Sequence, residues 1–152
     1  MKKLSAIFIL ISLSCLMIFI QCKKSNDGKV RVDLNAAPFK NLSQYNFFKG
    51  KISDLIPNDK VLPYELITAL FTDYAHKSRF VWMPEGTSAK YTKDEVVEFP
   101  TGAVLIKNFY YPKDFRDESK GRKIMETRLL IRHADKWNDL TYVWNDEQTD
   151  AE

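Results

Sequence analysis

The one side chain in this sequence whose position alone dictates a reaction is Cys22. A thiol there closes an apolar run, Leu4 to Ile20, that follows the basic pair Lys2-Lys3 and gives way at once to Lys23-Lys24-Ser25-Asn26-Asp27-Gly28. That order of basic start, apolar stretch and polar exit is the layout of a bacterial export signal. A cysteine at its end is the acceptor for a diacylglyceryl group, and cleavage before it makes Cys22 the acylated first residue. Several acyl chains on one residue anchor a protein stably without a membrane span. Two other readings use the same residues. The run reaches the lower edge of a spanning length, so it suits an uncleaved anchor. Cys15, preceded by the small Ser14, suits lipidation too, although cutting there leaves Leu16 to Ile20 as an apolar overhang. Cys22 is the better acceptor despite the bulk of Gln21. Cutting before Cys22 also removes Cys15, which leaves no disulfide and no cysteine-ligated metal within the mature chain.

The remaining residue types with chemical reach are sparsely placed. His76 and His133 lie 57 positions apart with no companion ligand at a metal-binding spacing. They read as a helix-end cap and a hairpin neighbour. No G-x-S-x-G occurs, and Gly86 and Gly102 are isolated turn glycines rather than a phosphate-cradling loop. Glu126 and Arg128 are two apart on one strand face, the placement of an ion pair rather than of an acid/base couple. The chain is therefore not expected to be an enzyme on its own. Phe109, Tyr110, Tyr111, Phe115, Trp137, Tyr142 and Trp144 can be read as β-domain core or as a ring-binding surface. In the second reading Tyr110, Tyr111, Trp137 and Trp144 form the ligand or partner surface. The sequence contains no C-x-x-C-H, so it cannot attach haem c covalently by itself.

Composition narrows the partners. Removing residues 1–21 takes away two lysines and no acid, which lowers the net charge from +3 to +1. A nucleic-acid-binding domain would keep a strong basic excess, so nucleic acid is not expected as a partner. The rest is long enough for one proper core and too aromatic to be disordered. The expected organisation is a signal peptide over 1–21, a lipidated tether over 22–37 and one globular domain over 38–152. Lys23, rather than an aspartate, after Cys22 points to the outer membrane over the inner one, on the periplasmic side.

The elements expected to hold these residues are mainly strands. Asn41 to Gly50 predicts one or two helical turns that dock Leu42, Tyr45 and Phe48. Residues 53–62 read as a loop. Pro63 to Ala75 has proline at a first helical position and Leu66, Leu70 and Tyr74 at helical spacing, against β-favouring Ile67, Thr68, Phe71 and Thr72. It is read as a short helix. Strands are expected at 79–83, 95–99 and 103–111. Lys123 to His133 alternates, with Met125, Thr127, Leu129 and Ile131 on one face and Glu126, Arg128 and Arg132 on the other. Ala134-Asp135-Lys136 is a tight connection to a returning strand at 137–145. The expected fold class is mainly β (α+β), a small antiparallel sheet or sandwich with one or two short helices.

Several segments in this order resemble a known family: Leu42-Ser-Gln-Tyr-Asn-Phe-Phe48, Pro63-Tyr-Glu-Leu66, Leu70-Phe-Thr-Asp-Tyr-Ala75, Lys77-Ser-Arg-Phe-Val81, Pro84-Glu-Gly86 and Phe99-Pro-Thr-Gly102. Val104-Leu-Ile-Lys-Asn-Phe109, Glu126-Thr-Arg-Leu-Leu130, Tyr142-Val-Trp-Asn145 and Gln148-Thr-Asp-Ala151 continue it. Together they are similar to the N-terminal, haem-free region of a family of bacterial exported diheme c-type cytochromes. The resemblance covers about residues 40–151. It implies a truncated or split member whose haem c belongs to a downstream domain or a partner chain, in cis or in trans, with no cofactor in this chain. Electron transfer would then reside in that other part.

Overall fold

The computed structural model describes residues 28–152; Cys22 and the expected signal peptide over 1–21 lie outside them. Five strands form one antiparallel sheet in the order of the chain. They are β1 (Val61–Pro63), β2 (His76–Trp82), β3 (Val104–Pro112), β4 (Arg122–Arg132) and β5 (Trp137–Val143). The domain is mainly β, as its alternation predicts, and takes the open-sheet form. In place of the expected short helices, three 3-10 turns are present among the described residues, at Leu42–Tyr45, Ile52–Asp54 and Glu118–Lys120.

One face of the sheet carries the core. Phe80, Val104, Ile106, Ile124, Leu129 and Ile131 point inward from successive strands, and each is at least nine-tenths buried. They are covered by Leu42, Tyr45, Phe47, Phe48 and Leu55, a layer of turns and extended chain from the first third of the domain. Tyr45 stacks on Phe47, and Phe48 meets Phe80 edge-on at 5.2 Å between centroids. The docked turn at Leu42–Tyr45 starts after Asn41, whose N–H donates to Gln44 Oε1 at 2.9 Å. It closes at Asn46, in the left-handed region, ahead of the expected Gly50. Val30, Val32 and Leu34 also pack on this core, so the folded domain begins well before Pro38. Their alternation in Lys-Val-Arg-Val-Asp-Leu is a strand-like signal at the end of the stretch read as tether.

Two expected elements do not form. Residues 95–99 make only an isolated bridge between Lys90 and Glu98. The segment after Pro63 is irregular instead of helical, and its Leu66, Ile67, Leu70, Phe71 and Tyr74 are all exposed. A short amphipathic helix gains its stability by packing its apolar stripe, and the inner face is already covered by residues 30–55. The backbone leaves helical space altogether at Asp73 (φ 41°) and Tyr74 (φ 62°). Its carbonyls are taken by side chains, with Lys77 Nζ donating to Leu70 O at 2.6 Å and Tyr111 Oη to Asp73 O at 3.5 Å.

Strand β4 alternates as expected except at Met125. Phe109 pairs with Glu126 and Tyr110 with Ile124, so Met125 is the extra residue of a β-bulge and is 43% exposed. The bulge turns Ile124 inward in its place. Gln148 holds it open from the chain's last segment: its Oε1 accepts from Ile124 N at 2.7 Å and its Nε2 donates to Ile124 O at 3.0 Å. That last segment is a clasp. Asn145 Oδ1 accepts from Thr149 N, Asp150 takes both the N–H and the hydroxyl of Ser43, and Leu42 N donates to Ala151 O. The Gln-Thr-Asp-Ala motif thus fastens the chain's last residues to the first turn and to the bulge.

Candidate functional site

Among the described residues no regular element lies over the face of the sheet opposite the core, and the strand register lays its side chains out in rows. One row is apolar: Leu62, Val81, Leu105 and Leu130 are successive cross-strand partners from β1 to β4. The next row is cationic: Arg79 pairs with Lys107, and Lys107 with Arg128. In the row beyond, Lys77 pairs with Phe109, and Phe109 with Glu126. Neighbouring strands sit about 4.8 Å apart, so this brings four positive side chains around one aromatic ring. The Lys107 ammonium lies 4.7 Å and the Arg128 guanidinium 5.0 Å from the Phe109 ring centre, both in the range of cation–π attraction.

Charge compensation in this cluster is incomplete. Arg128 is held by Glu126, with Nε to Oε1 at 2.7 Å, the ion pair expected from their spacing. Arg79 is 6% exposed, and its nearest carboxylate, Glu65, stands 3.6 Å away on the exposed segment after Pro63. That separation is too long for a hydrogen bond. Lys107 has no carboxylate within 4 Å among the described residues. Burial, followed by the charges of Lys77, Arg79 and Arg128, pushes its ammonium below the usual lysine range. Tyr64 sits half-buried beside Arg79; burial raises its phenol while the guanidinium pulls it back down.

Beside the cationic row, the irregular segment of residues 64–75 runs past the part of β2 that β1 does not reach. An open groove of about 510 Å³ lies there, lined by Glu65, Leu70, Phe71, Tyr74, His76 and Arg79 among others. Tyr110 and Phe115 close one end, with the His76 ring 5.7 Å from Tyr110 and 6.3 Å from Phe115. His76 opens β2 rather than capping a helix, because residues 64–75, which lead into it, form no helix. His133 sits at the β4–β5 hairpin as expected, its Nε2 2.9 Å from Asn138 Nδ2. Among the described residues no group of three or more His, Cys, Asp or Glu side chains is placed to hold a metal ion.

The four residues read as one aromatic surface are dispersed. Trp144 is buried in the core and donates its indole N–H to Thr127 Oγ1 at 2.9 Å. Tyr110 faces inward and packs on the core edge, while Tyr111, its neighbour, faces outward near Phe115. Trp137 is also outward, packed against Phe99 and Arg132. It lies at the far end of the sheet from Tyr111, about 26 Å along the strands at the usual rise. Tyr142 belongs to the core, where its hydroxyl donates to Phe39 O at 2.6 Å and meets Tyr45 Oη at 3.0 Å. Burial first, then the Tyr45 hydroxyl, raises its phenol far above the usual value.

The cationic row had no motif to announce it. Its trace in the sequence is that Lys77 and Arg79 are two apart, and that Lys107 interrupts the apolar Leu105 and Phe109. Only the register aligns them with Arg128. Compared with known proteins, the chain matches no family model, no curated protein and no solved structure. No helix among the described residues is long and apolar enough to cross a membrane.

Proposed function

We propose that this chain is a lipid-anchored module of a c-type-cytochrome-like electron-transfer protein. Acylated Cys22 holds it on the periplasmic side of the outer membrane. It is non-catalytic alone and docks a haem c domain supplied in cis or in trans. The observation that supports this reading is the exposed apolar segment after Pro63. Leu66, Ile67, Leu70, Phe71 and Tyr74 are between 47% and 107% exposed within nine residues. Folded monomers rarely leave a contiguous apolar patch uncovered beyond a few hundred Å², and a partner domain is what such a patch accommodates. The segment also falls within the stretch that resembles the cytochrome family, through Pro63 to Leu66 and Leu70 to Ala75.

The test is purification of the full chain from its own membranes in mild detergent, followed by haem staining of a denaturing gel. The expected result is a haem-staining polypeptide in fixed ratio to the chain, or the chain itself staining within a longer product. The double substitution Leu70→Ser and Phe71→Ser should reduce a trans complex without changing the circular dichroism of the domain. A haem-free preparation that binds an immobilised oligosaccharide would overturn this reading in favour of a surface-anchored carbohydrate or small-ligand module.

A further inference from the structure

We propose that the outer sheet face is a binding site for a phosphate-class oxyanion, held by Lys107, Arg79, Lys77 and Arg128. This goes beyond the docking role, which uses the neighbouring apolar segment. Two carboxylates face four cations here, and their distribution is uneven. Glu126 is committed to Arg128, and Glu65 approaches Arg79 only to 3.6 Å from an 82% exposed side chain. Lys77 spends its ammonium on a carbonyl, Leu70 O, which carries no full charge. Lys107 is left over, above the Phe109 ring.

Such an arrangement is unfavourable for the empty protein. A charge withdrawn from water must be paired to recover its lost hydration, and Arg79, 6% exposed, has as its ion-pair partner among the described residues only the exposed Glu65, at 3.6 Å and without a hydrogen bond. Like charges at neighbouring cross-strand positions repel, and Lys107 is held below the usual lysine range by burial first and by the charges of Lys77, Arg79 and Arg128 after it. An oxyanion seated over Lys107 would relieve both costs at once. It would accept charge-assisted hydrogen bonds from ammonium and guanidinium donors, the strongest kind available to it. The adjoining row of Leu62, Val81, Leu105 and Leu130 adds a specific feature. An anion carried on an apolar body could lay that body along the row, which a free inorganic ion cannot use. The shared chemistry is the phosphate group; its source is either a free phosphate or a lipid headgroup.

The experiment measures the denaturation midpoint of the full chain in neutral detergent against two probes, inorganic phosphate and dihexanoyl phosphatidic acid. A ligand that binds only the folded state raises the midpoint in proportion to its occupancy. Lys107→Met should weaken phosphate about tenfold or more, as expected for losing one charged donor. It should leave the ligand-free protein at least as stable as the wild type. Lys136→Met, in the exposed hairpin away from the cluster, should leave binding unchanged. Phosphatidic acid binding tenfold or more tighter than phosphate assigns the site to a lipid headgroup; equal affinities assign it to free phosphate. The proposal is overturned if neither probe moves the wild-type midpoint further than it moves that of Lys107→Met. Any remaining shift would then be the general stabilisation that excluded anions give to every protein.

Discussion

Replacing Thr127 with valine tests whether the centre of the sheet depends on a buried polar row rather than on apolar packing alone. Thr127 is fully buried on the inner face of β4, beside Asn108 of β3, also fully buried. Its hydroxyl donates to Asn108 Oδ1 at 2.6 Å and accepts from Trp144 Nε1 at 2.9 Å. Asn108 in turn donates to Ser78 Oγ at a longer 3.3 Å. Valine keeps the shape of threonine and removes both bonds, leaving an indole N–H and an amide oxygen without partners. Each orphaned buried group costs about 1–3 kcal/mol, and the added methyl returns at most about 0.8 kcal/mol. Taking the middle of that range for each group, the net loss should be about 3 kcal/mol, or roughly 9–15 °C in midpoint at about 3–5 °C per kcal/mol for a domain of this size.

The assay is urea denaturation followed by circular dichroism, which avoids the altered emission of Trp144 itself. Thr127→Ser, which keeps the hydroxyl, should cost only about 1 kcal/mol for the lost methyl. Asn108→Leu combined with Thr127→Val should cost less than the sum of the two single changes by about 1 kcal/mol or more, since each single change breaks the same bond. The reasoning fails if Thr127→Val costs no more than Thr127→Ser, or if the cycle is additive to within about 0.5 kcal/mol.

Three further outcomes follow from the clasp, the turns and the buried phenols. Gln148→Leu should destabilise by about 1–3 kcal/mol and speed amide exchange at Ile124, because the glutamine side chain bonds both Ile124 N and Ile124 O across the bulge; exchange unchanged at Ile124 would refute it. Gly102→Ala should cost about 1–3 kcal/mol, since its φ is +89° and a Cβ there would stand 2.8 Å from Pro84 Cγ. Gly121→Ala, at φ +91° with nothing within 4 Å, should cost less, and equal losses in a denaturation series would sink the packing argument. Tyr142 is raised in the folded state by burial and by Tyr45, so above the unfolded phenol value of about 10 the folded chain holds a proton that the unfolded chain releases. Stability should then fall with rising pH, by up to about 1.4 kcal/mol per pH unit for this one group. Tyr142→Phe should flatten that alkaline decline in pH-dependent melting, against a smaller opposite trend from Lys107, whose folded-state value is lowered.

How much of this was legible varies with how local its cause is. The β4–β5 hairpin was readable because period-two alternation and a tight connection are encoded within two dozen residues. Met125 was misplaced because its bulge is held from Gln148, a side chain outside the strand. Pro63 to Ala75 carries helical spacing, yet the surface that would have received the apolar stripe is occupied by residues 30–55, which only the folded chain reveals. Tyr110 and Tyr111 are consecutive and must face opposite ways, so one of them could never share a surface with the other. Trp144 is inward with Tyr142, two residues before it, and finds Thr127 of β4 there to accept its N–H. The cationic row is the least legible part, because Arg79, Lys107 and Arg128 come from three strands and meet only through register.

The two faces of the sheet divide the sequence by role. Leu42, Tyr45, Phe47 and Phe48 belong to the buried inner layer, and Trp144, Asn145, Gln148, Asp150 and Ala151 form the clasp that closes on it. Each of these has a structural task that explains its residue type. Such positions specify how the chain folds, and the polar side chains among them, Asn145, Gln148 and Asp150, are engaged in hydrogen bonds within the clasp. The groups free to act are elsewhere, in the apolar segment after Pro63 and in the row from Arg79 to Arg128. A chain could therefore keep the whole clasp and core, change Leu70, Phe71 and Lys107, and retain the fold while losing both proposed surfaces. Binding assays on those three positions separate what this domain does from what merely makes it fold.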